Sequence, residues 1–241
     1  MEGKAARLQE IIDQHNRIVF FGGAGVSTES GIPDFRSQDG LYNQTYDYPP
    51  ETILSHTFFM RKTEEFYRFY QDKMLCDTAK PNEAHLKLAE LEKAGKLTAV
   101  VTQNIDNLHQ MAGSKKVLEL HGSVHRNYCM KCRKFYDFNY MKHHEGVPKC
   151  ECGGIIKPDV VLYEEGLDNA TINESIRVIS EAEVLVIGGT SLAVYPAAGL
   201  IDYFRGEHLI LINKSTTPRD SFASLLINEP IGQVFSKIQV R

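Results

Sequence analysis

The 241-residue sequence lacks any apolar run long enough to cross a membrane. Its longest continuous apolar stretches, such as Val184 to Ile187, fall far short of the ~20 residues that a spanning helix requires. Basic charge is not in excess either, because 27 Lys and Arg residues face 31 Asp and Glu residues and the formal net charge is -4. Since nucleic-acid binding depends on a basic surface, we expect no nucleic acid among the partners.

The first 17 residues contain no apolar core of the kind that signal peptides have. The spacing of Ala5, Leu8, Ile11 and Ile12 instead predicts an amphipathic helix. The sequence also shows no internal repeats, low-complexity tracts or flexible Gly/Ser linkers. We therefore expect a cytoplasmic protein that has no membrane partner. We also expect a monomer.

Cysteine is scarce outside one short segment. Of the five cysteines, four are clustered: Cys129, Cys132, Cys150 and Cys152. In a reducing compartment this clustering favours a metal site over disulfides. Because four thiolates fill every position of a tetrahedral Zn²⁺ ion, no water could be activated there. We therefore predict one structural zinc ion, and we expect the fifth cysteine, Cys76, to be a buried apolar residue.

Two alternatives remain open at this segment. His143 or His144 could replace one thiolate, although four cysteines already suffice. The segment could also be a zinc ribbon that binds nucleic acid, since Lys131 has basic and aromatic neighbours suited to base stacking. The acidic balance of the whole chain argues against this. The second cysteine pair has one residue fewer than the usual spacing, and Gly153-Gly154 directly after it could relieve the resulting strain.

Short apolar runs rich in β-branched residues recur along the chain. These runs are Ile18 to Phe21, Leu97 to Val101, Val117 to Leu120, Val160 to Tyr163, Val184 to Ile187 and Leu209 to Ile212. Such runs suit strands that are buried on both faces. Helical patterns lie between them, from Pro81 to Ala94 and from Thr171 to Ala182. The alternation predicts an α/β fold with a doubly wound, Rossmann-like parallel sheet.

Two segments interrupt this alternation. Residues 38–80 are rich in aromatic side chains and have helical patterns, whereas 125–156 contain the cysteines. We expect 38–80 and 125–156 to form a smaller helical and zinc-binding module. The sheet domain would then consist of 1–37, 81–124 and 157–241.

A glycine-rich turn, Gly22-Gly-Ala-Gly-Val-Ser-Thr28, follows the first predicted strand. Glycines there let the backbone approach a pyrophosphate, whose charge is stabilised by N–H groups at a helix start. However, Ser27 replaces the third glycine of a dehydrogenase fingerprint, and no acidic residue ends a strand about 20 positions further on. On spacing alone, a dinucleotide site and a purely structural turn fit equally well.

Polar residues follow two of the predicted strands. Asn104 and Asp106 come after the strand that begins at Leu97, and His121 directly follows the next one. Ligands of doubly wound sheets bind outside the carboxyl ends of the strands, so these side chains could converge on one crevice. An imidazole has the near-neutral pKa that suits a general base. The remaining histidines lack such placement, and we expect packing or surface roles for most of them.

Six sequence blocks, taken together and in order, resemble the sirtuins, the NAD⁺-dependent protein-lysine deacylases. The blocks are GAGVSTESGIPDFR (23–36), TQNID (102–106), LHG (120–122), the cysteine quartet, IKPDVVLYEE (156–165) and GTSLAVYPAA (189–198). The match covers nearly the whole chain, and six ordered blocks are far more specific than any one of them. The chain is similar to compact bacterial members of the family, with little beyond the catalytic core.

The resemblance implies that the sheet domain binds NAD⁺ and that the zinc ion is structural. The pyrophosphate and adjoining ribose would contact Ala24, Gly25, Thr28 and Arg36, and the adenosine half would contact Thr190, Ser191, Asn213 and Ile231. The nicotinamide end would contact Phe35, Gln103, Asn104, Ile105, Asp106 and His121.

The resemblance further implies NAD-dependent deacetylation of acetyl-lysine-containing proteins. The acetyl group would pass to ADP-ribose, with release of nicotinamide and 2′-O-acetyl-ADP-ribose. His121 would act as the general base, and Asn104 would position ribose and water. The substrate-binding residues would be Val160, Leu162, Tyr163, Glu164 and Val194.

Two departures from the family pattern affect substrate choice. Glu164 stands where the family has glycine beside the peptide groove, and we expect it to favour basic residues flanking the acyl-lysine. Sirtuins that prefer succinyl-lysine carry a Tyr and an Arg three residues apart, whereas here Tyr67 is followed by Tyr70. We therefore expect deacetylation over desuccinylation.

Other functions remain as alternatives. An NAD-dependent ADP-ribosyltransferase would share the cofactor residues without needing an acyl tunnel. A deacylase of longer acyl chains would use the same chemistry. A non-catalytic binder that acts through its zinc module is disfavoured by the presence of His121 and Asn104.

Overall fold

The structure is a computed structural model that describes residues 2–35, 40–41 and 47–241. The α-helices in this part of the chain are α1 (Glu2–Gln14), α2 (Pro50–Ile53), α3 (His56–Arg61), α4 (Thr63–Lys73), α5 (Glu83–Lys93), α6 (Leu108–Ala112), α7 (Phe138–His143), α8 (Asn169–Glu181) and α9 (Ile231–Phe235). The strands are β1 (Ile18–Gly22), β2 (Leu97–Thr102), β3 (Val117–Glu119), β4 (Gly122–Cys129), β5 (Phe135–Tyr136), β6 (Ile156–Val160), β7 (Val184–Gly188), β8 (His208–Ile212) and β9 (Leu225–Ile227).

Six strands form a parallel sheet in the order β3-β2-β1-β7-β8-β9. The central strands β1 and β7 are buried along their whole length, as their continuous apolar sequences predict. One face packs on apolar residues of α1, α5 and α9, and the other packs on α8 and the turn Ala197–Tyr203. The predicted doubly wound α/β architecture is therefore confirmed. The strand order reverses at β1, which has β2 on one side and β7 on the other, and a crevice opens at the carboxyl end of such a strand.

The predicted strand from Val160 to Tyr163 is wrong in position and in sheet. The strand here is β6, which ends at Val160 and pairs antiparallel with β4 in a separate sheet of order β5-β4-β6. After Val160 the chain turns, and the N–H of Glu165 donates to the carbonyl of Leu162. An apolar run of four residues does not specify which neighbour it pairs with. The sixth strand of the parallel sheet is β9, which sequence analysis missed.

A second apolar cluster lies under the small sheet. It joins the aromatic side chains of α3 and α4 to β4, β6 and the cysteine segment. Phe59, Phe66, Tyr67 and Tyr70 are fully buried there, and the Tyr67 hydroxyl donates to the carbonyl of Ile156. The cluster also includes Val160 and Leu162, which lie beyond the expected boundary at 156.

The two predicted helices are present as α5 and α8, and α8 begins at Asn169, two residues before the predicted start at Thr171. Asn82 caps α5 by accepting a hydrogen bond from the N–H of Ala84, and Asp168 caps α8. Cys76, in contrast, is exposed and not buried as expected, because it follows the end of α4 and lies outside the aromatic cluster. Within the described residues, no helix has the length and apolar character that a membrane span needs.

Candidate active site

Two glycine loops meet at the carboxyl ends of β1 and β7. The N–H of Gly25 donates to the carbonyl of Gly189 at 2.7 Å, and a Cβ on Gly25 would lie only 2.8 Å from the Gly189 Cα. Gly189 itself has a φ of +59°, a conformation that favours glycine. These glycines therefore serve a close contact between the two loops as well as any approach by a ligand.

The loop after β1 contains two short 3-10 turns, Ala24–Val26 and Thr28–Ser30. The α-helix start that the glycine pattern implied is not seen in the described part of this loop. The Thr28 hydroxyl bonds back to the carbonyl of Gly25 at 3.0 Å and so tightens the turn. The loop therefore presents successive backbone groups to the crevice without a helix behind them.

Two side chains of the loop after β2, Asn104 and Asp106, are linked through Ser27 of the loop after β1. The Asn104 amide nitrogen donates to the Ser27 hydroxyl at 3.1 Å, and that hydroxyl donates to the Asp106 carboxylate at 2.6 Å. Ser27 is 1% exposed, so water does not compete for these bonds. The other carboxylate oxygen of Asp106 accepts the N–H of Leu108 at the start of α6. This relay fixes the orientation of both Asn104 and Asp106.

His121 lies between β3 and β4, and its ring is held by the backbone. Its Nδ1 lies 3.0 Å from the carbonyl oxygen of Gln103. A carbonyl only accepts, so Nδ1 carries the proton and Nε2 keeps its lone pair in the neutral ring. Burial lowers the pKa of His121 below its ordinary value, although the bond to Gln103 opposes the shift. The ring is therefore neutral at pH 7 and can accept a proton at Nε2.

A close contact between two backbone segments requires glycine at position 122, directly after this histidine. Gly122 has a φ of +74°, and a Cβ there would lie 1.9 Å from the carbonyl oxygen of Asp159 on β6. Only glycine permits this approach between β4 and β6. The small sheet therefore begins directly beside the His121 ring.

On the far side of the crevice, residues that directly follow β2, β7 and β8 are joined by hydrogen bonds. The Gln103 amide donates to the Thr190 hydroxyl at 3.1 Å, and the Asn213 amide donates to the Thr190 carbonyl at 3.1 Å. Ile231 is 3% exposed and packs against the end of β7 at Gly188. These contacts make one continuous polar and apolar wall.

A cavity of about 330 Å³ lies over these loops. Most residues expected to bind the cofactor or the substrate line it: Ala24, Gly25, Phe35, Gln103, Asn104, Ile105, Asp106, His121, Val160, Leu162, Tyr163, Glu164, Thr190, Ser191 and Val194. Thr28, Asn213 and Ile231 do not line the cavity and lie in its supporting wall. Arg36 lies outside the described residues.

The cysteine quartet lies outside the cavity and forms a compact cluster. Sγ of Cys129 is 3.5 Å from Sγ of Cys152, Sγ of Cys132 is 3.5 Å from Sγ of Cys150, and all four sulfurs lie within 4.8 Å of one another. Tetrahedral zinc with four thiolates requires sulfur separations of about 3.8 Å, so the set fits one ion.

Backbone groups support the first cysteine of this quartet. Burial would raise the pKa of Cys129, but N–H donors from Cys132 and Lys131 lower it below the ordinary value. Gly153 has a φ of +79°, and a Cβ on Gly154 would lie 2.6 Å from the Cys129 sulfur. The two glycines thus permit the shortened second pair to close on the first.

Neither histidine that could have replaced a thiolate belongs to the cysteine cluster. The His143 Nδ1 bonds to the carbonyl of Asn139 on its own helix, and the His144 ring stacks on Tyr140. The cluster therefore consists of the four cysteines alone within the described residues.

Comparison with known proteins decides the family. A family model described as Sir2 family matches residues 23–196. The chain belongs to the Sir2 family. It is 60% identical over 242 residues to an NAD-dependent protein deacetylase of Clostridium perfringens, covering 99% of both chains. It is 59% identical over 239 residues to the protein of the same name from Clostridium acetobutylicum, covering 98% of both.

Solved structures agree with the Sir2 assignment. A structure from work on the mechanism and regulation of Sir2 enzymes aligns with a TM-score of 0.89 at 39% identity, covering 98% of this chain and 96% of that one. A Sir2 protein bound to acetylated peptide aligns with a TM-score of 0.83 at 38% identity, covering 97% and 96%.

Ser27 is the site residue that sequence reasoning undervalued. In the sequence it stands in place of the third glycine of a dehydrogenase fingerprint, and no local pattern assigns it a contact. The structure shows that it joins Asn104 to Asp106 across 77 and 79 residues of chain. The one signal in the sequence was that a hydroxyl replaces glycine at a position where glycine packs closely.

Proposed function

We propose that this Sir2 protein is an NAD-dependent protein-lysine deacetylase. It transfers the acetyl group of acetyl-lysine to ADP-ribose and releases nicotinamide and 2′-O-acetyl-ADP-ribose. The observation that carries the proposal is a single cavity in which a neutral His121, the Asn104–Ser27–Asp106 relay and the two glycine loops come together. Relatives up to 60% identical over nearly the whole chain bear the same activity in their names.

The glycine loops are the proposed site for the diphosphate of NAD⁺. Ala24, Gly25 and Thr28 hold the pyrophosphate and its ribose, together with Arg36. Gly23, Ala24 and Gly25, at the first 3-10 turn, line the cavity, and the two glycines carry no side chain, which lets a diphosphate approach. Thr190, Ser191, Asn213 and Ile231 hold the adenosine half, and the bond between Asn213 and the Thr190 carbonyl keeps that wall in place.

The proposed nicotinamide site lies at the other end of the cavity. Ile105 and Asp106 hold the carboxamide, Gln103 contacts the ribose, and Phe35 covers the pocket. Asp106 is suited to this role because Ser27 and Leu108 fix both of its oxygens. Phe35 packs against the aromatic cluster and lines the cavity, so it can exclude water from the reacting centre.

His121 and Asn104 carry the chemistry in this proposal. The acetyl oxygen of the substrate attacks the ribose carbon as nicotinamide leaves. His121 then takes a proton at Nε2 from a ribose hydroxyl, so that this oxygen can attack the acetyl-derived carbon. Asn104, held by Ser27, positions the ribose and the water that completes hydrolysis. Hydrolysis frees the lysine and leaves the acetyl group on ADP-ribose.

One zinc ion has a structural role in this proposal. Cys129, Cys132, Cys150 and Cys152 hold it, and four thiolates leave no position for substrate. The ion joins the ends of β4 and β6 to the loop between them. Its contribution is to keep folded a segment with little apolar content of its own. We further propose that 38–80 and 125–156 act as a module distinct from 1–37, 81–124 and 157–241.

The acetyl-lysine is proposed to enter between two loops. Val160, Leu162 and Val194 line its tunnel, with Tyr163 and Glu164 at the mouth. The Glu164 carboxylate accepts the N–H of Thr57 at 2.8 Å, and hydrogen bonds from Thr57 lower its pKa. This carboxylate is thus tied to the start of α3, which weakens the expectation that it selects basic flanking residues.

The tunnel is proposed to select acetyl over succinyl groups. Tyr67 and Tyr70 are fully buried, and the Tyr67 hydroxyl bonds to the backbone of Ile156, so neither presents a cation to an acyl carboxylate. Arg68 is exposed on the opposite side of α4. Lys73 lines the cavity, and its nitrogen lies 2.9 Å from Asp72. A higher kcat/KM for the succinyl than for the acetyl version of one peptide would contradict this selectivity.

Mass spectrometry of the products tests the function directly. An acetyl-lysine peptide incubated with the protein and NAD⁺ should lose its acetyl group and yield acetyl-ADP-ribose, and nothing should change without NAD⁺. Transfer of ADP-ribose onto protein without dependence on an acetyl group would instead favour an ADP-ribosyltransferase. Monomeric state and cytoplasmic location stay predictions, the first of which light scattering would test.

A further inference from the structure

A second cluster of metal-ligating side chains lies at the amino end of the parallel sheet. His15 follows α1, and Glu207 and His208 lie at the start of β8. One ligand atom from each of the three lies within 4.8 Å of the other two. Because β8 runs parallel to β1 and β7, this end of the sheet is opposite the cavity and its glycine loops.

The interatomic distances match those of a coordination sphere. Nε2 of His15 lies 3.6 Å from one Glu207 carboxylate oxygen, and Nε2 of His208 lies 3.5 Å from the other. Two ligands at about 2.1 Å from a tetrahedral ion lie about 3.4 Å apart. A small shift would therefore bring these three groups around one ion, with a fourth position open to water.

The ring of His15 is already set for ligation. Its Nδ1 lies 2.7 Å from the carbonyl oxygen of Ile11, one turn earlier in α1. Since that carbonyl can only accept, the proton is on Nδ1 and the lone pair is on Nε2, the atom that faces Glu207. Histidine ligands of metals commonly donate their other N–H to a backbone carbonyl in this way.

The backbone of the other two ligands is also anchored. The N–H groups of Glu207 and His208 both donate to the carbonyl of Glu183, at 2.8 and 3.2 Å. Gly206, which precedes them, lies close to the end of α8: a Cβ on Gly206 would be 2.2 Å from the carbonyl oxygen of Ala182. The side chains of His15 and His208 are only 12% and 14% exposed, whereas Glu207 is 71% exposed and open to an entering ion.

The charged groups around the cluster leave the Glu207 carboxylate facing the two imidazoles. The Glu183 carboxylate lies next to the cluster, where it accepts the N–H groups of Asn16 and Arg17. Two cations lie near the cluster. The Arg17 guanidinium pairs with Glu183 at 3.0 Å, and the Lys96 ammonium donates to the carbonyls of Ile12 and Asp13, so both are engaged by groups other than Glu207. Two imidazoles and a carboxylate suit a divalent transition metal better than Mg²⁺ or Ca²⁺, which prefer oxygen ligands.

We propose that His15, Glu207 and His208 form a second metal site, which binds one divalent transition-metal ion of the Zn²⁺ type and ties the end of α1 to the start of β8. The site is independent of the proposed deacetylase chemistry. Any ion held there stabilises the folded chain by mass action, since the three ligands come from segments that unfolding separates.

Calorimetric titration with Zn²⁺ tests the site in the full-length protein whose cysteine site is already filled. We expect one additional equivalent to bind. His208→Asn should weaken this binding by more than about tenfold, because even groups outside the ligand shell contribute that much. Glu207→Gln should also weaken it, and this exposed residue can be replaced without disturbing the core. His143→Asn is the control, since His143 lies outside the cluster and its Nδ1, like that of His15, bonds to the carbonyl four residues earlier.

Co²⁺ spectra locate the additional ion. Co²⁺ added to the zinc-filled protein should give ligand-field bands without sulfur charge transfer, and Zn²⁺ should displace it. Binding of no additional ion by the wild type would overturn the proposal, as would full retention in both His208→Asn and Glu207→Gln. Charge-transfer bands from thiolates would also overturn it, because they would place the added metal on the cysteines.

Discussion

Two histidines at opposite ends of the parallel sheet are held in the same way and face different surroundings. His121, at the carboxyl end, gives its Nδ1 proton to the carbonyl of Gln103, and His15, at the amino end, gives its Nδ1 proton to that of Ile11. The Nε2 of His15 faces the Glu207 carboxylate. Among the described residues, no carboxylate oxygen lies within ion-pair distance of His121, whose Nε2 is left for a substrate.

This difference shows that the backbone bond alone does not assign a role to a histidine. The bond fixes the tautomer and the ring, and the group at Nε2 decides what the ring can do. A free Nε2 in a cavity that lowers the pKa suits proton transfer. A carboxylate and a second imidazole at Nε2 suit a cation.

The largest expected effect is the difference in deacetylase activity between variants of the two histidines. His121→Ala should reduce kcat/KM for deacetylation by about 10²- to 10⁴-fold, the usual contribution of a general base. His15→Gln should leave it unchanged, because that residue lies at the far end of the sheet. Steady-state kinetics on an acetyl peptide provides the measurement, with calorimetry to confirm that NAD⁺ still binds to both variants. Full activity in His121→Ala would remove the assigned role.

The next effect concerns zinc, which should support the segment that holds His121 and not the segments that hold His15. β4 begins directly after His121 and ends at Cys129. The buried residues of α1 and β8 instead pack in apolar clusters that do not include the cysteines. Cys150→Ser should cost zinc affinity more than about tenfold and lower deacetylation with it.

Hydrogen exchange distinguishes local from general damage in Cys150→Ser. Protection should fall in β4 to β6 and persist in α1 and β8. Cys76→Ser, which changes an exposed thiol outside the cluster, is the control and should retain its zinc. Uniform loss of protection throughout the chain would mean that the sheet depends on the metal as much as the cleft does.

A smaller effect concerns the side chains that surround His121. Ser27→Ala removes the link between Asn104 and Asp106 and leaves the buried Asn104 amide and the half-buried Asp106 carboxylate each short of a partner, so kcat should fall roughly tenfold. Ser114→Ala is a matched control, because that buried hydroxyl has no hydrogen-bond partner. Equal kinetics in the two variants would show that the relay does not orient Asn104.

The smallest effect is on the pH profile. Burial lowers the pKa of His121 from its ordinary value of 6.5, so the neutral base persists below that pH. Activity should therefore decline with acid only at a midpoint below 6.5, as protonation overtakes the depressed pKa. A kcat/KM profile between pH 5 and 9, at about half-unit steps, measures this midpoint. A midpoint above the ordinary value would mean that a negative charge faces the ring.

Sequence alone predicted the parallel sheet because β1 and β7 are continuous apolar runs that only a doubly covered sheet can bury. The helical pattern from Pro81 to Ala94 likewise predicted α5, which begins directly after its capping residue Asn82. The small sheet was beyond such reasoning. Its strand β4 alternates weakly, and its pairing with β6 depends on a close approach at Gly122 that no local pattern announces.

The sequence indicated which polar residues form the site, but not which hydrogen bonds join them. Asn104, Asp106 and His121 were identified as polar residues after strands, and the cavity brings them together. What could not be read was the relay through Ser27, because its bonds span 77 and 79 positions of chain. The prediction that Cys76 is buried was wrong for a related reason. Nothing in the neighbouring sequence specifies whether a residue just after the end of α4 faces the aromatic cluster or solvent.

The contact between Gly25 and Gly189 bears on how freely this protein can vary. A methyl group on either glycine would collide with the backbone of the opposite loop, at 2.8 Å from Gly25 and at 2.3 Å from Gly189. Neither collision can be relieved by a compensating change in a side chain, because both partners are main-chain atoms. In a library of all single substitutions selected for folded protein, these two positions should be depleted together, and a double substitution should rescue neither.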